Sequence, residues 1–144
     1  MAIKASDLAK YLLTLGESEM TTMKLQKLVY YCQAYRLAWT GEPMFKEQIR
    51  AWTHGPVVYE LFTQHKGKFS ISADDIEGDA TQVKNEDKIV ADAVYATFKS
   101  LTGWELRERT HAEDPWKNHF SDSDARHNRE IPHSAMQSFY SVEE

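Results

Sequence analysis

Six histidines, one cysteine and twenty-two Asp or Glu residues are the groups of this chain that could ligate a metal or move a proton. Their spacing does neither. No His-Glu-x-x-His pair occurs, and a single thiol, Cys32, excludes the paired-cysteine arrangements of zinc fingers. His111 and His119 flank Pro115 and could meet on one ion only through tertiary placement, so no metal and no other cofactor is expected. A Gly-x-Ser-x-Gly elbow, a Walker lysine loop and a Gly-x-Gly-x-x-Gly turn are all absent. Lone serines and dispersed acids define no nucleophile with its base, and the chain is not expected to be an enzyme. His54, in a turn, and His111, at a helix end, are read as capping or hydrogen-bonding groups, because a cationic imidazole near a helix C-terminus is mildly favourable. Contact with a partner is their other reading.

Aromatic side chains make up 12% of the residues and gather in or near predicted helices: Tyr30, Tyr31, Tyr35, Trp39, Trp52, Trp104 and Trp116. Core packing explains most of them. Tyr and Trp are also frequent interface anchors, since they bury a large area with few rotors and keep a polar handle. Any that stand exposed beside Lys24, Lys27 or His54 would mark a binding face.

The elements that must position these groups belong to one predicted domain, residues 1–144, with 42% hydrophobic composition and enough length to bury a core without staples. Cys32 lies in a helical apolar pattern as a small core side chain, and a reducing cytoplasm is the expected setting. No apolar run approaches the roughly 18 residues of a membrane span, and the N-terminus has no signal-peptide core. Seventeen basic against twenty-two acidic residues leave a net charge of −5, which disfavours nucleic acid as a partner.

The pattern reads as mainly α, a compact helical domain with room for one short β element near residues 48–52. Ser6 is placed as the cap of a first helix that buries Leu8, Leu12, Leu13 and Leu15, with Gly16 as its stop. A second helix runs from Thr21 or Thr22 to about Trp39, before Gly41 and Pro43. It is apolar on two opposed stripes and should be buried, with Gln26 and Gln33 aligned in one polar gap and Lys24 and Lys27 in the other. Arg36 projects into an apolar stripe and is expected to snorkel rather than pair. After the extended segment 48–52 comes a Thr53-His54-Gly55-Pro56 turn, with Pro56 opening a helix that buries Val57, Val58, Leu61 and Phe62. Residues 68–82 read as an exposed loop tacked down by Phe69, Ile71 and Ile76. A helix capped by Asn85 should bury Ile89, Val90, Ala93, Val94, Thr97, Phe98 and Leu101. Thr102 and Glu105 form a capping-box pattern for the next helix, Asp114-Pro115-Trp116 starts a short turn, and residues 121–130 read as polar and mobile. Ser134 is placed as the cap of a last helix carrying Ala135, Met136, Phe139 and Tyr140.

Three segments in fixed order carry a resemblance: Met23-Lys24-Leu25-Gln26-Lys27-Leu28-Val29-Tyr30-Tyr31, then Ala51-Trp52-Thr53-His54-Gly55-Pro56-Val57-Val58, then Leu106 with Thr110-His111 and Pro115-Trp116. Together they resemble the Panacea domain family, which includes SocA-like antitoxins and phage-associated proteins. The resemblance implies a helical antitoxin, encoded beside a cognate protein toxin and neutralising it by direct binding. Toxic small alarmone synthetases are among the toxins of such proteins. One relative acts instead as an adaptor that delivers its toxin to a protease, and an autoregulator of its own promoter is the reading from a different class. Lys24, Gln26, Lys27, Tyr31, His54 and His111 are the partner-binding candidates carried over, and charge reversal at Lys24 with Lys27 is expected to weaken binding without loss of stability.

Overall fold

Ten consecutive residues of the second helix, Leu25 to Ala34, are buried, and this dictates the architecture. A helix with no solvent face needs cover on every side, and the remaining elements supply it. The computed structural model describes residues 2–16, 19–121 and 129–141. In chain order these form α1 (Ala5–Thr14), β1 (Met20–Thr21), α2 (Thr22–Thr40), β2 (Ile49–Trp52), β3 (Gly55–Val58), α3 (Tyr59–His65), β4 (Ser70–Ile71), α4 (Glu86–Phe98), α5 (Gly103–His111), α6 (Asp114–Lys117) and α7 (His133–Ser141). Helices α1, α4, α5 and α7 and strand β3 all pack on α2. The result is a mainly α fold in a single compact domain.

Local chemistry sets the ends of α2. Thr21 Oγ1 accepts from Lys24 N at 3.2 Å, and Gly41 closes the helix at φ 79°, where a side chain would be strained. At α5 the capping box is complete, with Thr102 N donating to Glu105 Oε1 at 2.8 Å and Glu105 N to Thr102 Oγ1 at 3.1 Å.

Several elements depart from the sequence reading. Helix α1 starts one residue before Ser6, because Asp7 reaches back to the Lys4 backbone amide at 3.1 Å and does the capping instead. Pro56 lies in β3 opposite Ala51, and α3 begins only at Tyr59, so Val57 and Val58 are strand residues. Residues 68–82 are partly ordered into β4 and two 3₁₀ turns, Ala73–Asp75 and Ala80–Gln82, while Ile71 and Ile76 are buried and Phe69 is 82% exposed. Ile89 is 67% exposed, since α4 turns Val90, Ala91, Val94 and Phe98 inward. Arg36 pairs rather than snorkels: its Nε lies 2.9 Å from Asp87 Oδ1, with both side chains largely shielded. Ser134 falls inside α7, which begins at His133.

Strand β2 is paired on both edges. It pairs antiparallel with β3 on one side, and on the other Ala51 N donates to Arg129 O at 2.8 Å while Ile131 N donates to Ile49 O at 2.7 Å. Arg129 and Glu130 are therefore ladder residues, and the expected mobile stretch at 122–128 lies outside the described residues.

Candidate functional site

The three sequence segments meet on one side of α2, and side chains of that helix finish the hairpin. The outer edge of β3 faces α2 with backbone groups that no strand satisfies. Gln26 takes the strand's place: its Oε1 accepts from Val58 N at 2.9 Å and its Nε2 donates to Val58 O at 3.3 Å. The second proton of that amide goes to His65 Nε2 at 2.9 Å, which makes this ring nitrogen an acceptor and leaves it unprotonated. Burial pushes the His65 pKa down in the same sense. Gln33, two turns along, repeats the device on another segment, accepting from Met44 N at 2.7 Å and Phe45 N at 3.3 Å and donating to Phe45 O at 2.8 Å. The seven-residue spacing of the glutamines thus serves buried backbone rather than a surface.

Lys27 is 1% exposed and donates to Pro56 O at 3.3 Å, with no carboxylate in ion-pair range among the described residues. Burial, and secondarily the positive charge of Arg107, lowers its pKa to about 7. Gly55 makes room for this side chain. At φ 109° it occupies the left-handed region, and a Cβ there would fall 2.5 Å from Lys27 Cε and 3.1 Å from Thr110 Oγ1.

The third segment closes the far side of the hairpin. Trp116 Nε1 donates to Trp52 O at 2.8 Å, and the His111 ring stacks flat on Trp116 with centroids 3.8 Å apart and planes 5° from parallel. Burial and the nearby Arg107 lower the His111 pKa, which favours a neutral imidazole over the cationic helix-end group expected from its position. Its Nε2 is buried and lacks a hydrogen-bond partner among the described residues. Tyr31, on the neighbouring face of α2, donates to Glu113 Oε1 at 2.7 Å, and Tyr140 of α7 donates to the same oxygen at 2.7 Å. Burial together with that carboxylate raises the pKa of Tyr31.

Of the six residues singled out by sequence, Gln26, Lys27 and Tyr31 therefore lie in the core and act as fasteners between α2, the hairpin, and the α5–α6 and α7 layer. A buried amine with a pKa near neutrality has the chemistry of a nucleophile, but Lys27 is packed in the core with its ammonium against a proline carbonyl. His111 is half-buried behind Trp116. Lys24 is half-buried as well, and His54 is exposed. Lys24 Nζ donates to Lys99 O at 2.6 Å, and exposed His54 accepts from Arg107 Nε at 3.1 Å. The Arg107 guanidinium in turn stacks 4.4 Å from the ring centre of Trp104, which is 57% exposed. Trp104 thus meets the criterion of an exposed aromatic beside a candidate, which Tyr31 and Trp116 do not. No cluster of His, Cys, Asp or Glu able to hold a metal occurs among the described residues. Nor is any helix among them long and apolar enough to cross a membrane.

The motif side chains thus lock a hairpin onto a helical scaffold, with His54, Arg107 and Trp104 on its outside. The family model for the SocA-like antitoxin, Panacea domain, matches residues 25–117, the stretch that holds α2 beyond its first three residues, the elements through α6 and nearly all of the three segments. The chain belongs to this SocA-like Panacea family, and its role is antitoxin-like. No curated protein and no solved structure matches it.

Proposed function

We propose that this chain neutralises a cognate protein toxin, encoded by a neighbouring gene, through direct binding and without catalysis. Family membership carries the reading. The geometry supports it in one respect: the motif residues Gln26, Lys27, Gly55 and Trp116 turn inward and hold the scaffold, so partner recognition falls to surface residues that the motifs do not specify. Neutralisation would proceed by covering the toxin's active site or holding the toxin inactive, and an interface of about 1,600 Å² suffices for a stable complex. Residues 1–144 would act as one cytoplasmic domain.

Co-expression with the product of the adjacent gene tests this reading, scoring growth rescue and co-purification together. Rescue with a stable complex is expected. Rescue accompanied by disappearance of the toxin would assign a proteolytic adaptor instead. A neighbour that is harmless and never binds would overturn the antitoxin assignment.

A further inference from the structure

Two large aromatic side chains stand in solvent on either side of the first turn of α2, each on a backbone that is held in place. Phe69 is 82% exposed, more than any other large apolar residue described. Its loop is not loose. Thr22 N donates to Phe69 O at 2.9 Å, Thr22 Oγ1 donates to Lys68 O at 3.1 Å, and Lys68 N donates to His65 O at 2.9 Å. Gly67 turns the chain at φ 85°, with open space where its side chain would be. On the other side, Gly103 abuts the same turn so closely that a Cβ would lie 2.8 Å from Lys24 N, and this contact sets the position of Trp104 one residue later. Stacking by Arg107 fixes the indole further.

Lysines lie among the residues around the pair. Lys66, Lys68 and Lys99 are exposed and Lys24 is half-buried. Two of the nearby carboxylates are ion-paired, Asp75 with Lys68 at 3.3 Å and Glu108 with Arg107 at 2.5 Å, while Glu19, on Ser70 Oγ at 3.1 Å, and Glu105, in the Thr102 capping box, keep their charge. Among the described residues, Lys66 and Lys99 have no carboxylate within ion-pair distance.

We infer that this end of the molecule is the toxin-binding face, with Phe69 and Trp104 seating in apolar pockets of a protein partner whose rims are acidic and meet Lys66, Lys68, Lys24 and Lys99. The inference rests on the antitoxin reading above and adds to it the surface and the chemistry of the partner. Aromatic side chains carried on backbone that is already fixed lose less entropy on docking than those of a loose loop, and such residues are where interface energy concentrates. The lysines contribute chiefly to encounter rate and orientation. An anionic membrane is the poorer occupant, since a chain of net charge −5 is repelled by it beyond the reach of a few lysines.

The test is titration calorimetry of Phe69→Ala, Trp104→Ala and the Lys66→Glu/Lys68→Glu pair against the toxin that the wild-type chain neutralises, with unfolding midpoints measured alongside. Each aromatic truncation should weaken binding at least about 30-fold, the scale of a hot spot, at unchanged folding stability. In stopped-flow binding to the same toxin, the charge pair should lower the association rate and flatten its salt dependence. Full wild-type affinity in both aromatic variants would overturn this face and leave the antitoxin reading standing. Loss of binding confined to Trp39→Ala, which opens the separate groove between α2 and α4, would do the same. Co-sedimentation of the wild type, but not Phe69→Ala, with phosphatidylserine–phosphatidylcholine vesicles would assign the face to a membrane and overturn the proposal. A wild-type chain that binds no toxin removes both readings together.

Discussion

Replacing Lys27 by Met should flatten the dependence of folding stability on pH just above neutrality. The ammonium of the unfolded chain keeps its proton up to about 10.5, whereas the folded state releases it near 7, because burial, and then Arg107, penalises the charge. Between those values the unfolded state binds more protons, so wild-type stability must rise with pH, and below about 7 the full cost of the buried charge is in place. Nearly one proton more on the unfolded chain gives a slope of about 1 kcal/mol per pH unit around pH 8, and a gain of about 2 kcal/mol from pH 7 to 9. The assay is urea unfolding followed by tryptophan fluorescence at fixed ionic strength across that interval. Cys32 and the buried tyrosines also titrate on the alkaline side, with pKa values raised by burial, but they are common to both proteins and leave the difference to Lys27. Parallel stability curves for the wild type and Lys27→Met would refute the reasoning, and would mean that Lys27 is hydrated or paired with a carboxylate. The same placement corrects the expected outcome of charge reversal: Lys27→Glu should unfold the hairpin side of the core rather than report on an interface.

Three further outcomes follow from the hydrogen bonds and close contacts. Gln26→Ala strips partners from both Val58 backbone groups and from His65, and should cost about 2–4 kcal/mol in urea unfolding; a loss comparable to that of a surface substitution would show that another group caps the β3 edge. Gly55→Ala combines the left-handed backbone with the contact to Lys27 Cε and should cost about 1–3 kcal/mol, read as a lowered thermal midpoint. Thr102→Ala removes the cap of α5 and should cost about 1 kcal/mol in urea unfolding; an unchanged unfolding midpoint would show that the box does not hold the helix start.

Much of the helical skeleton was legible because its signals are local. The Thr21 cap, the Gly41 stop and the Thr102–Glu105 box act within four residues, and the two-sided apolar pattern of α2 is visible before any partner is known. The misreadings share one cause. Pro56 has a helix-opening preference, yet pairing with β2 placed it in a strand, a contact that its own neighbours do not encode. Arg36 could be read as snorkelling only while Asp87, fifty-one residues away, was out of view. Phe69 looked like a tack for its loop, but Ile71 and Ile76 fill the core there and leave it outside.

By itself, the sequence determined the class of fold, the burial of α2, the family and the set of residues that join the three segments, because these rest on periodicity, capping and ordered motifs. Only the tertiary structure decided the roles of those residues. Lys24, Gln26 and Lys27 are adjacent on one helix, yet the first is half-buried at the surface, the second completes a strand edge and the third is a buried amine against a proline carbonyl. Which side chain meets water and which meets backbone depends on what packs against the helix, and that information lies tens of residues away along the chain.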